Sequence, residues 1–442
     1  MRDAELIIEE ARKLVEPDPE TADKARKAEK LIKERLDKLL KDYPELEYRF
    51  LGSYARNTWL PENLEIDVFI LFPESYSFDE LEKLAIELGK KAVDMYELRY
   101  AAHPYVHGTV GDVEVDIVPC YRLSSAERIK SAVDRTPFHH EWVIKRVKGL
   151  ENDVRLLKRF LKSINVYGAE YRIKGFSGYL CELLVIHYRS FLSTIEKAAR
   201  WKRNLVIDPG RGSEYVKKDI EKLHVVDPVD PKRNVAANLS IDSLAKFVEA
   251  SRIFLRKPSI DFFIPKTFSV NEERMKKEIH GRFVYGVIFE RPPVVEDNLY
   301  TQLEKAERRI ADLLENNEFT VLRSGHHADE KCCLVFELLS GSLSKVRKHY
   351  GPNFESYANS MKFIEKNREY SRFFENGRYV TFRTRKITDA RELIRHAITV
   401  HHASMGKDLS EFIRKGRVIE GQELLEHKDL RPFLSEFLGV NG

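Results

Sequence analysis

The chain has 442 residues, 43% hydrophobic and 33% charged, enough for about three or four domains and above the roughly 25% charge of an average domain, an excess of the kind found in thermophiles. Its 75 Lys and Arg stand against 71 Asp and Glu, so a net charge of +4 with a pI near 8.6 excludes a polycation, and any nucleic-acid surface must come from local clustering. Cys120, Cys181, Cys332 and Cys333 form no C-x-x-C pair, which argues against that kind of zinc site and against a disulfide framework; without an apolar signal-peptide core or a bilayer-length apolar run, a soluble, cytoplasmic chain with no membrane partner is expected.

The hydrophobic pattern predicts a charged amphipathic helix over 19–41, with Leu31, Ile32, Leu36 and Leu40 inward. Strands are expected near 46–51, 64–72, 96–102 and 113–119, with a helix around 78–95, which together make a small mixed sheet with helices. Near 141 the pattern turns helical, with segments at 152–164, 176–200 and 240–256, and Pro228 and Pro231 mark a loop among them. After Lys257-Pro258 it changes again. A strand at 282–289, a helix at 299–316 and strands near 319–326 and 332–339 suggest a small α+β sandwich of the ferredoxin or RNA-recognition (RRM) kind. Residues 340–378 interleave basic and aromatic side chains, as in Lys345-Val346-Arg347-Lys348-His349-Tyr350. The segment Tyr379-Val380-Thr381-Phe382-Arg383 and helices at 388–400 and 408–416 are expected to return to the sandwich. No internal repeat or low-complexity tract is present.

Most of the functional information lies early. In Leu51-Gly52-Ser53-Tyr54-Ala55-Arg56 a Gly-Ser turn opens a helix, and Leu64-Glu65-Ile66-Asp67-Val68 follows as a strand. Strand side chains alternate, so Glu65 and Asp67 share a face. Neighbouring carboxylates repel unless a cation sits between them, and oxygen ligands at this spacing suit a hard ion such as magnesium. The Gly-Ser turn can offer backbone N–H groups to a phosphate at a helix start. Val113-Glu114-Val115-Asp116-Ile117 alternates in the same way. If this strand lies beside the first, Asp116 completes a three-carboxylate cluster able to hold two magnesium ions about 3.5–4 Å apart. Each strand taken alone is equally well read as amphipathic with a solvated acidic face; the upstream Gly-Ser turn favours the metal reading.

Gly-Ser, then acidic-x-acidic on a strand, then a later strand acid, resembles the DNA polymerase beta-like nucleotidyltransferase superfamily. The strings Gly-Ser-Tyr-Ala-Arg-Asn-Thr-Trp-Leu from Gly52, His103-Pro104-Tyr105-Val106-His107-Gly108, Val118-Pro119-Cys120-Tyr121, the run from Ser131 to His140, and Arg233-Asn234-Val235-Ala236-Ala237-Asn238-Leu239-Ser240 look like the archaeal, class I CCA-adding enzymes. The resemblance is dense over the first half and thinner but continuous to the C-terminus. Its one departure from the commonest superfamily pattern is Glu65 in place of Asp. It implies an α+β, multidomain protein: a catalytic nucleotidyltransferase head at 1–140, a helical neck with a base-recognition loop at 141–262, a ferredoxin- or RRM-like body at 263–339 and 379–442, and a tRNA-binding tail at 340–378.

Phosphoryl transfer needs positioning and charge neutralisation. No Walker A sequence is present, so a P-loop is excluded. Ser53 can donate its hydroxyl and N–H to a phosphate, and Arg56, expected one turn on in the same helix, can reach the same anion; the resemblance implies that both bind the incoming triphosphate. On the helix at 152–164, Arg155, Lys158 and Lys162 recur opposite an apolar stripe. A solvated basic face is the ordinary explanation, whereas the resemblance singles out Lys158 as a triphosphate ligand with Tyr167 close by. His139 also matches a nucleotide-binding position, although a lone histidine is more often a structural residue. Arg233, in the loop with Pro228 and Pro231, offers a planar fork suited to the acceptor edge of cytosine and the ring nitrogens of adenine. It is otherwise a capping arginine for the helix that begins near Ser240. His140, His326, His327, His401 and His402 have no ligand-like spacing.

The implied activity is CCA addition to the tRNA 3′ end from CTP and ATP, without a template. Glu65, Asp67 and Asp116 would hold magnesium and pyrophosphate would leave. The partner would be tRNA, gripped at the acceptor stem and T arm, with Arg347 and Lys348 among the RNA contacts. Family members are often homodimeric. Two rivals remain. One is a poly(A) polymerase or other template-independent nucleotidyltransferase, though a small-molecule enzyme would have little use for the sandwich and basic segment. The other is a non-catalytic RNA-binding protein with a decayed site, which the three retained carboxylates argue against.

Overall fold

A computed structural model describes residues 2–100, 104–211, 213–216, 222–265 and 270–440. They fall into two units, 1–266 and 267–442. The first unit starts with α1 (Arg2–Val15), which was not expected from sequence. Acids begin it, Arg12 and Lys13 end it, and Ala4, Ile8, Ala11 and Val15 form its buried stripe. Then come α2 (Pro19–Leu39), β1 (Glu47–Leu51), the single turn α3 (Gly52–Ala55), β2 (Glu65–Phe72), α4 (Phe78–Ala92), β3 (Met95–Tyr100), β4 (Pro104–Val110) and β5 (Val113–Tyr121).

The five strands form one sheet in the order β1-β2-β5-β4-β3. Only β2 and β5 run parallel. The alternating pattern sends Ile66, Val68, Ile70, Val113, Val115 and Ile117 into a core with Ile32 and Leu36 of α2 and Leu81, Ala85 and Leu88 of α4. The opposite face carries the acids at one end and a smaller apolar cluster of Leu51, Phe69, Leu71, Val118 and Cys120 at the other. β4 was not read from sequence as a separate strand, and residues 101–103, the end of the expected strand at 96–102 and His103, lie outside the described residues.

The neck contains α5 (Thr136–Val147), α6 (Glu151–Ser163), α7 (Gly178–Tyr188), α8 (Phe191–Ala198), β6 (Leu205–Asp208), β7 (Ser213–Val216), β8 (His224–Val225) and α9 (Ile241–Arg256). The expected single helix over 176–200 is two. Arg189 takes a left-handed conformation, and Ser190 caps the next helix by accepting the N–H of Ser193 at 3.0 Å. The strands at 205–225 were also missed, being too short for a period to show. The core joins Phe160 of α6 to Phe191, Phe247, Phe254 and Phe263.

The second unit holds α10 (Glu272–Ile279), β9 (Phe283–Glu290), α11 (Glu296–Asn316), β10 (Val321–Ala328), β11 (Lys331–Leu338), β12 (Val346–Asn353), α12 (Tyr357–Lys366), β13 (Arg372–Glu375), β14 (Arg378–Thr384), α13 (Ala390–Val400), α14 (Ser410–Arg414), β15 (Arg417–Glu420) and α15 (Arg431–Leu438). One antiparallel sheet has the order β10-β11-β9-β15. With α11 and α13 as its crossovers this is the βαββαβ arrangement of a ferredoxin-like unit. α11 and α13 pack on one face, and Met275, Ile279, Leu434 and Leu438 of α10 and α15 pack on Val284, Ile288, Cys333 and Val335 of the other. This sheet therefore lacks the open face on which an RNA-recognition sheet stacks bases.

The segment 379–383 does not return to that sheet as expected. β14 pairs with β12 and β13 in a separate three-stranded sheet, because the turn at Asn376 and Gly377, both with positive φ, folds it directly back on β13. The fourth sandwich strand is β15, which is too short to be read from its pattern. All four cysteines are free and buried. No helix among the described residues is long and apolar enough to cross a membrane.

Candidate active site

The parallel pairing of β2 and β5 sets Asp67 beside Asp116, and Glu65 beside Glu114. Alternation keeps Glu65, Asp67 and Asp116 on one face, as the spacing predicts. The next strand extends the row: His107 of β4 is paired with Asp116, and its Nδ1 lies 2.6 Å from Asp116 Oδ1 and 3.8 Å from Glu65 Oε1. Ligand atoms of Glu65, His107 and Asp116 lie within 4.8 Å of one another. Burial and the neighbouring carboxylates push Glu65 and Asp67 up to about 7. Burial raises Asp116 as well, partly offset by His107. Buried carboxyl groups crowded in this way suit a divalent cation, which removes the repulsion, and carboxylate oxygens suit a hard ion.

The Gly-Ser turn packs directly on this row. Gly52 has φ +68°, and a Cβ there would fall 1.7 Å from Asp67 Oδ2, so only glycine allows the carboxylate to lie against the backbone. Ser53 follows in α3. This helix is a single turn, and Arg56 lies past its end as the capping residue, not within the helix as expected. Asn57, with φ +55°, then reverses the chain.

Arg56 is buried. Its Nε donates to Glu182 Oε1 at 2.9 Å, and the Thr58 hydroxyl donates to the same oxygen at 2.6 Å. The bond uses the Nε of the guanidinium. Lys158, 2% exposed, donates from Nζ to the Thr58 carbonyl at 2.8 Å. Burial pulls its pKa down and the Glu182 charge pulls it back up. A solvated basic face on α6 is therefore wrong for Arg155 and Lys158. Arg155 donates to the Trp59 carbonyl at 3.0 Å and to Asn57 Oδ1 at 2.6 Å. Arg159 and Lys162 bind Glu62 at 2.7 and 3.1 Å. The basic stripe clamps the 57–62 loop that leads from the turn into β2.

Tyr167 follows α6 and bridges to Phe176. A Cβ at Gly178 would sit 3.2 Å from the Tyr167 hydroxyl and 3.5 Å from Lys158 Nζ, so both groups converge on the first turn of α7. Arg56 and Lys158 also act electrostatically on Asp67, which places the cations beside the acids.

A second cluster centres on Asp227, which is fully buried. Its Oδ2 meets His139 Nε2 at 2.8 Å and accepts from Arg233 at 2.8 Å; its Oδ1 accepts from the Tyr179 hydroxyl at 3.2 Å and the Val229 N–H at 3.1 Å. His139 stacks on Tyr179 with centroids 4.1 Å apart. Burial alone would raise Asp227, yet the His139 and Arg233 contacts hold it at about 2. Arg233 is thus tied to a carboxylate and does not cap the helix at Ser240, whose N-terminus is capped by Ser240 itself. Arg135 reinforces the loop by donating to Asp230 at 3.0 Å.

Sequence reasoning missed His107, Glu182 and Asp227. Glu182 alone left a readable trace, a single acid inside the apolar run of α7. In the second unit, Arg347 and Lys348 are consecutive on β12 and point to opposite faces of their sheet. Arg347 lies opposite Arg383, which donates to Asn367 beyond α12. Lys348 is on the other face with Tyr350, Phe373 and Phe382, where it is ion-paired with Glu375.

The chain matches the family described as "Nucleotidyltransferase domain" over 29–139, "tRNA nucleotidyltransferase, second domain" over 152–264, and "CCA-adding enzyme, C-terminal domain" over 280–421. It is 50% identical to the CCA-adding enzyme of Archaeoglobus fulgidus over 441 residues, covering 99% of each chain. It is 40% identical to that of Methanosarcina mazei over 405 residues, covering 88% of each. A solved structure of the Cid1 poly(U) polymerase gives a TM-score of 0.47 at 15% identity, covering 60% of this chain and 99% of that one.

Proposed function

This chain belongs to the CCA-adding enzyme family, and on that premise we propose how its residues carry out the reaction. As a tRNA nucleotidyltransferase it adds CCA to tRNA, and the nucleotidyltransferase domain with its acidic cluster implies divalent-metal use. The finer reading is template-independent transfer of CMP, CMP and AMP from CTP and ATP to the tRNA 3′ end. The observation that supports phosphoryl transfer at this site is the register that sets Asp67 against Asp116 two residues on from Glu65, and the choice of CTP and ATP rests on the family.

Glu65, Asp67 and Asp116 would hold two magnesium ions, which when bound neutralise triphosphate charge and lower the pKa of a hydroxyl. The terminal 3′-oxygen attacks the α-phosphorus, the bond from that phosphorus to its bridging oxygen breaks, and pyrophosphate leaves. The hydroxyl proton passes to Asp116. Ser53, Arg56, Lys158 and Tyr167 bind the triphosphate. Arg233, with His139, addresses the base from a position held by Asp227.

Head, neck and body at 1–140, 141–262 and 263–339 remain our division of labour for the chain, with the tail extended from 340–378 to 340–384 because β14 pairs with β12 and β13, and the body resuming at 385–442. Magnesium as the ion, contact with the tRNA acceptor stem and T arm, a homodimer and a cytoplasmic setting rest on the family resemblance. The test is metal replacement: in chelated enzyme, magnesium should restore addition and calcium should not. Restoration by calcium, or full activity in chelator, would refute the metal reading.

A further inference from the structure

We propose that His107 is a positioning residue for the reaction: its Nδ1–H fixes the Asp116 carboxylate in the orientation that the metal site and the 3′-hydroxyl require. This inference rests on the carboxylate reading above and adds a residue to it.

His107 is 7% exposed and sits opposite Asp116 in an antiparallel pair. That pairing brings side chains on one face to about 5 Å at Cβ, so the imidazole has little freedom to leave. The Nδ1 to Oδ1 distance is 2.6 Å. As a metal ligand Asp116 is ionised, and an ionised carboxylate only accepts hydrogen bonds, so in that state Nδ1 carries the hydrogen and is not a lone-pair donor to a cation. The distance agrees. Two neighbouring ligands on an octahedral ion with bonds of about 2.0–2.1 Å stand about 3 Å apart, whereas 2.6 Å is closer than that and lies at the short end of hydrogen bonding between a ring N–H and a carboxylate. The imidazole therefore supports a ligand without being one.

The sheet explains why Asp116 needs the support. Asp67 is packed against Gly52 and lies near Arg56 and Lys158. Asp116 has burial against it and stands opposite Asp67 in the register. The ring nitrogen that reaches it in the row is Nδ1 of His107. Groups that hold metal ligands in this way are worth about 10–100-fold in metal affinity or activity when removed.

The experiment compares His107→Phe, which keeps the bulk and loses the donor, with His107→Asn, whose amide N–H can reach the position of Nδ1–H. Folding is checked by thermal melt. Manganese binding to the RNA-free protein is followed by electron paramagnetic resonance, and steady-state addition to tRNA supplies kcat and KM. H107F should weaken manganese binding and lower kcat, each by about 10–100-fold, with KM for CTP and tRNA unchanged, and H107N should recover most of both. Wild-type kcat and manganese affinity in folded H107F would overturn the inference. So would an H107N variant that is folded yet no better than H107F. Asp116→Asn, measured alongside, separates the two levels: unchanged addition and manganese binding in D116N would refute the carboxylate reading itself, whereas loss in D116N with normal H107F refutes only the role of His107.

Discussion

Arg56 and Glu182 are joined across 126 residues of sequence by a buried 2.9 Å bond, which ties the Gly-Ser turn of the head to the first helical turns of α7. Glu182 is fully buried, and the charges of Arg56 and Lys158 keep its carboxyl below the usual range although burial pulls upward. The pair sets where the Arg56 fork points and, through Thr58, where the loop held by Lys158 runs.

Removing one partner of a buried ion pair strands the other charge, at a cost of about 3–5 kcal/mol. Glu182→Leu should therefore lower the unfolding free energy by that amount, read as a fall in the denaturant midpoint at unchanged slope. It should also raise KM for both CTP and ATP, because Arg56 loses its direction. A variant with wild-type stability and KM would remove Glu182 from the site.

Asp227 gives a pH-dependent prediction. Its carboxyl lies at about 2, below the reference 3.8. A depressed carboxyl contributes stability that is fully present above the unfolded value and is lost as pH falls through the folded value. Wild type should thus be more stable than Asp227→Asn at neutral pH, and the difference should shrink between about pH 4 and pH 2, as read from urea midpoints across that range. Asp227→Asn also frees Arg233 and His139. Discrimination of CTP and ATP from UTP and GTP should then fall, as in Arg233→Ala, by on the order of 1–3 kcal/mol for each lost base contact. If only overall nucleotide affinity changes in the two variants, Arg233 meets phosphate and not base.

The sequence carried the acids well because strand alternation and a register of parallel strands are both periodic. Glu65, Asp67 and Asp116 needed only the assumption that two strands adjoin, and β2 and β5 do. The ferredoxin-like body was legible for the same reason, since β9, α11, β10 and β11 are long. What could not be read is whatever depends on a partner distant in sequence. Arg155 and Lys158 look like a solvated stripe until the 57–62 loop is laid over them. His107 acquires a role only when β4 pairs with β5. β14 contains residues of ordinary strand character, and nothing local says which sheet it joins.

The split of Arg347 and Lys348 between two faces changes what to expect of RNA binding. Lys348 shares its face with Tyr350, over which Nζ sits at 5.1 Å, and with Phe373 and Phe382, 5.5 Å apart. Arg347 points toward the α12 side. Lys348→Ala should weaken unrelated tRNAs alike and reduce the slope of log affinity against log salt by about one, whereas Arg347→Ala should leave both unchanged. Equal effects of the two, or none from either, would place the RNA grip elsewhere.

The most direct measurement is extension of a tRNA that lacks its terminal CCA, resolved to single nucleotides, with wild type, Asp67→Asn and Asp116→Asn in magnesium. Wild type should add two residues with CTP alone and stop after three with CTP and ATP together. Each variant should be slowed by about three orders of magnitude, the several kcal/mol expected of a lost metal ligand, while binding tRNA normally. A long homopolymer from ATP alone, or near-wild-type extension by both variants, would contradict CCA addition at the Glu65, Asp67 and Asp116 site.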